Sequence, residues 1–431
     1  HTHNVEFRNT QTAYEFCTEN DPVDFVNPGS VDNFMGFKRD NGSVGTRNYI
    51  AIVTSVNCSA TAARRIADAF GPKELSEYPN VDGVVAFVHG TGCGMAGDGE
   101  GFEALQRVMW GYARHPNHAG VLMVGLGCEM NQIDWLLDAY GLEQGPLFQT
   151  MNIQNVTGLG KTIEIGIRKV KEMLPIANLA YREECPVSEL KIALQCGGSD
   201  AWSGITANPA LGKACDILIS HGGTGLLAET PEIYGAEHLL TKRSVNQETG
   251  EKLVNLIKWW EDYTLRNKGT MDNNPSPGNK KGGLTTILEK SLGASVKGGN
   301  TPLMGVYKYA EIVKEKGFTF MDSPGYDPAS VTGQIAGGCN IVCFTTGRGS
   351  AFGSKPAPTI KLATNTEMYT RMKDDMDINC GDILDGRLSV EEKGKQIYEM
   401  IVRVASGEKS KSELQGLGDY EFVPWQIGAV M

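Results

Sequence analysis

Short apolar runs rich in β-branched residues alternate with amphipathic segments along most of the chain, and a turn rich in glycine or asparagine follows most of the runs. The runs predict strands at 48–54, 83–88, 121–124, 190–194, 318–321, 341–344 and 359–363, and the amphipathic segments predict helices at 60–70, up to 112, near 133–140 and near 209–220. Because strands that alternate with helices form βαβ units, the pattern predicts an α/β fold with mostly parallel, Rossmann-like sheets. Ligands bind such sheets at the carboxyl ends of the strands, where we expect the functional sites.

The length predicts two globular units, because 431 residues exceed what one ordinary core holds. Residues 1–35 are polar and irregular and predict a linker. We expect the first α/β domain at 36–184 and the second at 185–431, since Glu-Glu-Cys-Pro at 183–186 breaks a helical run. The chain starts with His1-Thr2-His3-Asn4 instead of Met, which indicates a separate or missing N-terminal domain ahead of the linker.

Composition and charge narrow the class of protein. With 41% hydrophobic and 21% charged residues the chain is an ordinary globular protein, and no apolar run approaches the roughly 20 residues that cross a membrane. The net charge of −11, with Lys and Arg spread along the sequence, argues against a nucleic-acid surface. Ten cysteines are too sparse for a disulfide scaffold, so we expect a cytoplasmic protein whose thiols are free for metal binding or catalysis.

Four cysteines follow directly after predicted strands, in turns that contain glycine or asparagine: Cys58, Cys93, Cys128 and Cys196. Thiols at equivalent strand ends can converge on one metal site, although buried cysteines are also common without any ligand. Of the others, Cys339 is undecided, and five lack this context and are interpreted as structural: Cys17, Cys185, Cys215, Cys343 and Cys380.

Two residues next to these thiols are further candidates for metal binding. His89 precedes Cys93 by four positions in a glycine-rich turn, so imidazole and thiolate can face one iron site. Glu129 follows Cys128 at the start of the next helix. Both residues have a structural alternative. His89 could be a neutral, hydrogen-bonding histidine, and Glu129 could be a carboxylate that the helix dipole favours.

The second half carries polar, glycine-rich turns. Cys196-Gly-Gly-Ser199-Asp200, followed by a turn that ends at Asn208, lets backbone N–H groups approach an anion. It is neither a dinucleotide fingerprint nor a Walker loop. The segment 274–283 holds two prolines and three glycines and displays Asn279 and Lys280 on a stiff loop, unless it is a plain surface linker.

The turn Phe344-Thr-Thr346-Gly-Arg348-Gly ends a predicted strand with an arginine between two glycines. Arginine suits bidentate recognition of a carboxylate, whereas the alternative is an exposed, solvated side chain. Lys280 could likewise hold a substrate carboxylate or, if desolvated, serve as a base.

Several of these strings resemble those of the altronate/galactarate dehydratase family. The similar strings are NGSVGTRN at 41–48, GLGCE, CGGSD with SGITANP, NPSPGNKKGG and FTTGRG, in the same order from about residue 36 to 407. The resemblance implies an iron(II)-dependent hydro-lyase (dehydratase) that removes water from C2 and C3 of altronate or galactarate and gives a 2-keto-3-deoxy acid. It also implies a small N-terminal domain whose end reads His-x-His-Asn, as at residues 1–4.

The turn from Thr91 to Met95, followed by Asp98 and Glu100, departs from the family pattern, which leaves the exact sugar acid open. The related sulfolactate sulfo-lyases, which release sulfite, share the architecture and are the first alternative. A non-catalytic sugar-acid-binding subunit is the second.

Elimination from a hydroxy acid needs a base near C2, a cation to stabilise the enediolate and an acid at the C3 oxygen. The expected metal ligands are His89, Cys93, Cys128, Glu129 and Cys196; the catalytic candidates are Lys280, His89 and Asp200; the substrate-binding candidates are Arg348, Ser199, Asn279, Asn208 and Thr346. The expected cofactor is Fe²⁺, as one ion or as an iron–sulfur cluster, with Mn²⁺ as a substitute. The expected partner is a small-molecule sugar acid, with no nucleic acid and no membrane, and we expect a homodimer.

Overall fold

A computed structural model describes residues 13–19 and 22–428, so His1–Asn4 lie outside the described residues. The strands are β1 Asn33–Lys38, β2 Val44–Gly45, β3 Tyr49–Thr54, β4 Gly83–Phe87, β5 His118–Gly125, β6 Phe148–Asn152, β7 Glu183–Pro186, β8 Lys191–Cys196, β9 Thr224–Leu227, β10 Leu303–Tyr307, β11 Gly317–Met321, β12 Ile341–Thr346, β13 Thr359–Ala363 and β14 Ile378–Asn379. The α-helices are α1 Ala60–Ala67, α2 Gly99–Ala113, α3 Ile133–Tyr140, α4 Leu159–Ala177, α5 Ala207–Ser220, α6 His238–Thr241, α7 Gln247–Arg266, α8 Pro277–Lys281, α9 Ile287–Ser295, α10 Asp327–Ala336, α11 Thr366–Arg371, α12 Val390–Ala405 and α13 Lys411–Leu414.

The first unit is built on a four-stranded parallel sheet in the order β4-β3-β5-β6. Its central strand β3 is buried on both faces, and alternate residues enter different cores. Ile50 and Ile52 pack with α1 and α4, whereas Ala51 and Val53 belong to the main core together with α2. Period-two alternation in a strand buried on both faces produces this two-sided packing.

The second unit is built on a seven-stranded parallel sheet in the order β10-β11-β9-β8-β12-β13-β14. All six residues of β12 are buried. Helix α2 of the first unit packs directly against α10 of the second, where a Cβ on Gly111 would lie 2.3 Å from the carbonyl oxygen of Ala336. Only glycine permits this approach, which joins the two sheets into one core.

A small antiparallel sheet, β2-β1-β7, lies at the junction of the two units. The described part of the predicted linker at 1–35 contacts the body: the N–H of Glu19 donates to the carbonyl oxygen of Lys242 at 2.9 Å, and β1 begins at Asn33. Near the other end of the chain, Phe422 packs edge-on against Phe87, and Trp425 stacks on Trp260 of α7.

The predicted α/β class and parallel sheets are confirmed, and each predicted strand and helix corresponds to an observed one, within a few residues at its ends. The structure also has elements that were not predicted, of which β9 matters most because it lies beside β8. Among the described residues, no helix is both long and apolar enough to span a membrane.

Candidate active site

A cluster of acidic groups lies at the carboxyl edge of the seven-stranded sheet. Cys196 is the last residue of β8, and Glu229 and Glu232 follow β9, the neighbouring strand. All three side chains are buried, and their potential ligand atoms lie within 4.8 Å of one another. The Cys196 thiol donates to Glu232 Oε2 at 3.6 Å. Parallel strands that end side by side thus collect groups that are distant in sequence.

Two buried lysines face these acids. Lys290 of α9 donates through Nζ to Glu232 and, at 2.9 Å, to Asn274 Oδ1. Lys297, in the turn after α9, donates through Nζ to Cys196 Sγ at 2.8 Å. Burial by itself lowers the pKa of each lysine, but the neighbouring acids outweigh burial and the pKa of both is raised overall. Both ammonium groups therefore stay charged at neutral pH.

Glu229 and Asp327 hold their protons more tightly than carboxyl groups usually do. Neither carboxyl oxygen of Glu229 has a hydrogen-bond partner in the part of the chain that the structure describes. Burial, followed by the charges of Glu232 and Asp327, raises the pKa of Glu229 well above its ordinary value. Burial and the Glu232 charge raise the pKa of Asp327, at the start of α10, to about 7. Near neutral pH, Glu229 can donate a proton and Asp327 can accept one.

A cavity of about 270 Å³ lies beside the cluster and is lined by Cys196, Ser199 and Lys290, together with Leu284 and Gly293. The Ser199 hydroxyl is buried and has no hydrogen-bond partner among the described residues. Buried polar groups without partners are costly unless a ligand satisfies them. The cavity is therefore suited to a small molecule that carries hydroxyl groups.

Asp200, predicted to be catalytic, is saturated with hydrogen bonds in this structure. Its carboxylate accepts from the Trp202 N–H at 3.1 Å, the Ser203 hydroxyl at 3.0 Å, the Thr364 hydroxyl at 3.0 Å and the Asn365 amide at 3.1 Å. These bonds connect the turn after β8 to the turn after β13. The geometry gives Asp200 a positioning role at the edge of the sheet.

Three predicted substrate contacts, Asn208, Asn279 and Thr346, also bond within the protein. Asn279 Nδ2 donates to the carbonyl oxygen of Ser199 at 2.9 Å, and Asn208 Oδ1 accepts from the Thr345 hydroxyl at 2.6 Å. Thr346 Oγ1 accepts from the backbone N–H three residues later at 3.1 Å. Asn279 therefore holds the backbone of Ser199, whereas Asn208 and Thr346 bond to β12 and to the turn after it.

Lys280 and Arg348 do not line the cavity. Lys280 is partly exposed on the short helix α8, and Arg348 is exposed in the turn after β12. The Arg348 side chain passes over Gly282, where a Cβ would lie 3.0 Å from Arg348 Cδ, and its N–H donates to the Gly198 carbonyl oxygen at 2.8 Å. The side chains of Lys280 and Arg348 thus extend from the turns that surround the buried cluster.

The other predicted metal ligands lie at the carboxyl edge of the four-stranded sheet. Cys58, Cys93 and Cys128 follow β3, β4 and β5, and all three are exposed. Cys196 belongs to the other sheet, so the expectation that all four thiols meet at the edge of one sheet is wrong. Sequence spacing located each strand end, but it could not assign strands to sheets.

His89 and Glu129 are engaged by neighbouring groups. His89 Nε2 lies 2.9 Å from the Thr54 carbonyl oxygen, and Nδ1 accepts from the Thr91 N–H at 3.3 Å. Burial lowers the pKa of His89 to about 4, which keeps the ring neutral. Glu129 accepts from the Ser55 hydroxyl at 2.5 Å and from two backbone N–H groups at 3.1 and 2.6 Å. For His89 this geometry fits the structural alternative. The Glu129 carboxylate instead bonds Ser55 and the turn after β5, and helix α3 begins only at Ile133.

The residues of the buried cluster other than Cys196 were missed in the sequence: Glu229, Glu232, Lys290, Lys297 and Asp327. A signal for the first two existed, because Glu229 follows the end of β9 just as Cys196 ends β8. That strand has only four residues and contains a glycine, so its pattern was too short to predict. The lysines lie on a helix and the turn after it, where lysine normally indicates an exposed face.

Two family models match the chain. Residues 36–178 match the family described as D-galactarate dehydratase/Altronate hydrolase, second domain, and residues 187–430 match D-galactarate/Altronate dehydratase, C-terminal. The chain belongs to the altronate/galactarate dehydratase family. The resemblance inferred from the motifs is thereby confirmed.

Individual members of the family align over most of their length. An altronate dehydratase of Bacillus subtilis is 40% identical over 384 residues, which cover 89% of this chain and 76% of that protein. A galactarate dehydratase (L-threo-forming) of Escherichia coli is 39% identical, covering 87% of this chain and 73% of that protein. The beta subunit of a (2R)-sulfolactate sulfo-lyase of Chromohalobacter salexigens is 33% identical, covering 90% and 96%.

The two edges differ as metal sites. In the described structure, Cys196, Glu229 and Glu232 are the one group of three potential ligands this close together, but Lys297 and Lys290 already contact two of them. An added divalent ion would lie beside two ammonium charges, which is electrostatically unfavourable. The exposed thiols of the four-stranded sheet carry no such competing cation in a hydrogen bond with them.

Proposed function

We propose that this family member is a hydro-lyase that removes water from C2 and C3 of a sugar acid resembling altronate or galactarate and forms a 2-keto-3-deoxy acid. The observation that carries the proposal is the buried cluster, which combines two ammonium groups, a protonated carboxyl and a carboxyl that titrates near pH 7. The names of the related dehydratases support the same reaction class.

Each step of an elimination has a suitable group in the cluster. Asp327, with a pKa of about 7, accepts the C2 proton in its ionised form. Lys290 and Lys297 stabilise the negative charge that develops on the substrate carboxylate as this proton leaves. Glu229 gives its proton to the C3 hydroxyl, which departs as water. The enol that remains then tautomerises to the 2-keto acid.

Substrate is held from two sides in this proposal. The unpartnered hydroxyl of Ser199 bonds a substrate hydroxyl inside the cavity. Arg348 and Lys280, on the surrounding turns, attract the carboxylate, and Arg348 can bind it through two parallel hydrogen bonds. This assigns Lys280 the role of an anchor and Asp327 the role of the base.

Iron is the cofactor that the family resemblance implies. Among the ligands expected from the sequence, Cys93 and Cys128 fit best, because both thiols are exposed and thiolates favour iron over magnesium. Iron held there would supply a Lewis acid for a substrate oxygen.

A product assay under anaerobic conditions with iron and a thiol reductant tests the proposal. We expect a 2-keto acid from altronate or galactarate, and a loss of turnover in Asp327→Asn with the substrate still bound. Sulfite release from sulfolactate alone would instead establish the sulfo-lyase reaction, which the 33% identity to a sulfo-lyase subunit favours as the second candidate. Saturable binding of a sugar acid without any product would refute both and leave a binding subunit.

A further inference from the structure

We propose that Cys58, Cys93 and Cys128 together bind an iron–sulfur cluster and leave one of its irons without a protein thiolate. This deepens the function proposed above, since it names the form of the iron and adds Cys58 as a ligand. The proposal can be tested by measuring the iron and sulfide bound to the protein, which does not depend on turnover.

The strand order places the three thiols side by side. Strand β3 lies between β4 and β5, and all three run parallel, so the turns after them emerge at the same edge. Cys58, Cys93 and Cys128 each lie within these turns, and each is exposed. Of the remaining seven cysteines, Cys17 is partly exposed and the other six are buried: Cys185, Cys196, Cys215, Cys339, Cys343 and Cys380.

Direct hydrogen bonds join the three turns close to the cysteines. The N–H of Asn57 donates to the carbonyl oxygen of Thr91 at 3.0 Å, next to Cys58 and two residues from Cys93. The N–H of Asn131 donates to the carbonyl oxygen of Gly92 at 3.1 Å, which joins the turns of Cys128 and Cys93.

The third pair of turns is joined as well. Asn131 Nδ2 donates to the Ser55 carbonyl oxygen at 3.0 Å, and the Ser55 hydroxyl donates to Glu129 at 2.5 Å. A Cβ on Gly92 would lie 2.3 Å from the Ser55 carbonyl oxygen, so the turns approach more closely than any residue with a side chain would allow. Every pair of cysteine-bearing turns is therefore in contact.

The spacing favours a cluster over a single ion. A lone tetrahedral metal ion holds thiolates at about 2.3 Å, so its sulfurs would stand within about 4 Å of one another. Within the described residues these three sulfurs do not all lie within 4.8 Å. In a cluster each thiolate binds a different iron, so its cysteines stand farther apart. Three thiolates on four irons leave one iron open, the arrangement that a catalytic metal site requires.

The surroundings of the thiols also suit a cluster. Gln154 Nε2 donates to Cys128 Sγ at 3.2 Å, and hydrogen bonds to sulfur are one means by which proteins tune iron–sulfur centres. Gly92, Gly94 and Gly127 have φ values of 99°, 67° and 123°, so the backbone beside Cys93 and Cys128 turns sharply and carries no bulky side chain. The open iron would thus lie on an accessible face.

The segment after Cys93 leads towards residues that neighbour the buried acid–base cluster. The segment that follows Cys93 leads to Glu100 at the start of α2. Burial raises the pKa of Asp322, directly after β11, to about 6, and the charge of Glu100 adds to this effect. Asp322 in turn accepts from the Thr230 hydroxyl at 2.5 Å, next to Glu229. The charge at the start of α2 therefore acts on a carboxyl group beside the buried cluster.

The test is anaerobic reconstitution of the full chain with iron salts and sulfide, followed by desalting and measurement of iron, acid-labile sulfide, visible absorbance and the electron paramagnetic resonance of the reduced protein. We expect about four irons and four sulfides per chain. Cys58→Ser, Cys93→Ser and Cys128→Ser should each lose most of both, and Cys17→Ser, the matched control, should keep them.

Thermal melting of the four variants without iron checks that exposed serines leave the fold intact. Iron or zinc bound without sulfide, or full cluster content in any of the three variants, would overturn the proposal. An intact cluster together with no turnover of any sugar acid would refute only the proposed function.

Discussion

Removal of the Lys290 ammonium tests whether the buried cluster is held by charge. Lys290 and Glu232 have side chains only 7% and 5% exposed, so neither can be compensated by water when its partner is lost. Lys290→Met keeps an unbranched side chain of nearly the same length and removes the charge together with the hydrogen bonds to Glu232 and Asn274. Breaking such a buried pair from one side costs about 3–5 kcal/mol. For a unit of this size that corresponds to a melting temperature lower by roughly 6–20 °C.

The loss should depend on pH in a defined direction. In the wild-type protein burial raises the pKa of Glu232, but Lys290 outweighs burial and the pKa is lowered overall. Without Lys290, burial dominates and the pKa of Glu232 rises above its unfolded value. A carboxyl of this kind destabilises the folded state increasingly as pH rises past the unfolded pKa. The melting difference between wild type and Lys290→Met should therefore be larger at pH 8 than at pH 5.

Differential scanning fluorimetry across pH 5–8 measures both effects. Glu232→Gln added to Lys290→Met should recover much of the loss, because neither position of the pair then carries a charge. Lys252→Met is the matched control, since Lys252 pairs with Glu248 on the surface, where side chains are 55% and 76% exposed and such pairs contribute little. An equal loss at pH 5 and pH 8, or no recovery in the double variant, would contradict this electrostatic reasoning.

Further predictions concern the substrate and the scaffold. Asp327→Asn should abolish the rise of kcat/KM as pH increases through about 7, the limb expected while the base ionises; an unchanged pH–rate profile would remove Asp327 from that role. Arg348→Lys should lose about 1.5–3 kcal/mol of binding free energy and so raise KM roughly ten- to hundredfold at unchanged kcat. Initial rates that show a fall in kcat instead would exclude a carboxylate contact that is equally strong in the ground state and the transition state. Lys280→Ala should raise KM modestly, whereas a hundredfold lower kcat would identify Lys280 as the base. Arg47→Lys should lower the melting temperature, because Arg47 bonds Glu413 through two nitrogens at 2.7 and 2.8 Å; unchanged melting would show that the fork geometry is dispensable.

The repeated strand–turn–helix pattern predicted the fold, because each long strand is marked by its own run of apolar residues and the turn that follows it. Strand β3 and the turn that contains Cys58 can be recognised from adjacent residues alone. The order of the strands cannot be recognised from adjacent residues, because β9 lies between β8 and β11 through contacts that are remote in sequence. For that reason the position of Glu229 beside Cys196 could not be recognised from the sequence.

Polar residues in glycine-rich turns also proved ambiguous. Asp200 was interpreted as catalytic and Asn279 as a substrate contact, yet a turn that must be held rigidly needs the same hydrogen-bonding side chains. Sequence identifies such a turn but not the direction in which a carboxylate or amide points. Arg47 shows the opposite case, because its motif was used only as a family signature and the side chain is a fully buried anchor for α13.

The carboxyl edges of the two parallel sheets differ in burial, and this difference suits one edge to proton transfer and the other to metal binding. Proton transfer near neutral pH requires carboxyl groups whose pKa values are raised. The burial of Glu229 and the like charges beside Glu229 and Asp327 contribute to this. Thiolate ligands have the opposite requirement, since burial raises the pKa of Cys196 to about 11 and so opposes formation of a thiolate. Exposed thiols such as Cys93 can receive a metal after the chain has folded. An enzyme that combines both kinds of group is therefore better served by two sheet edges than by one.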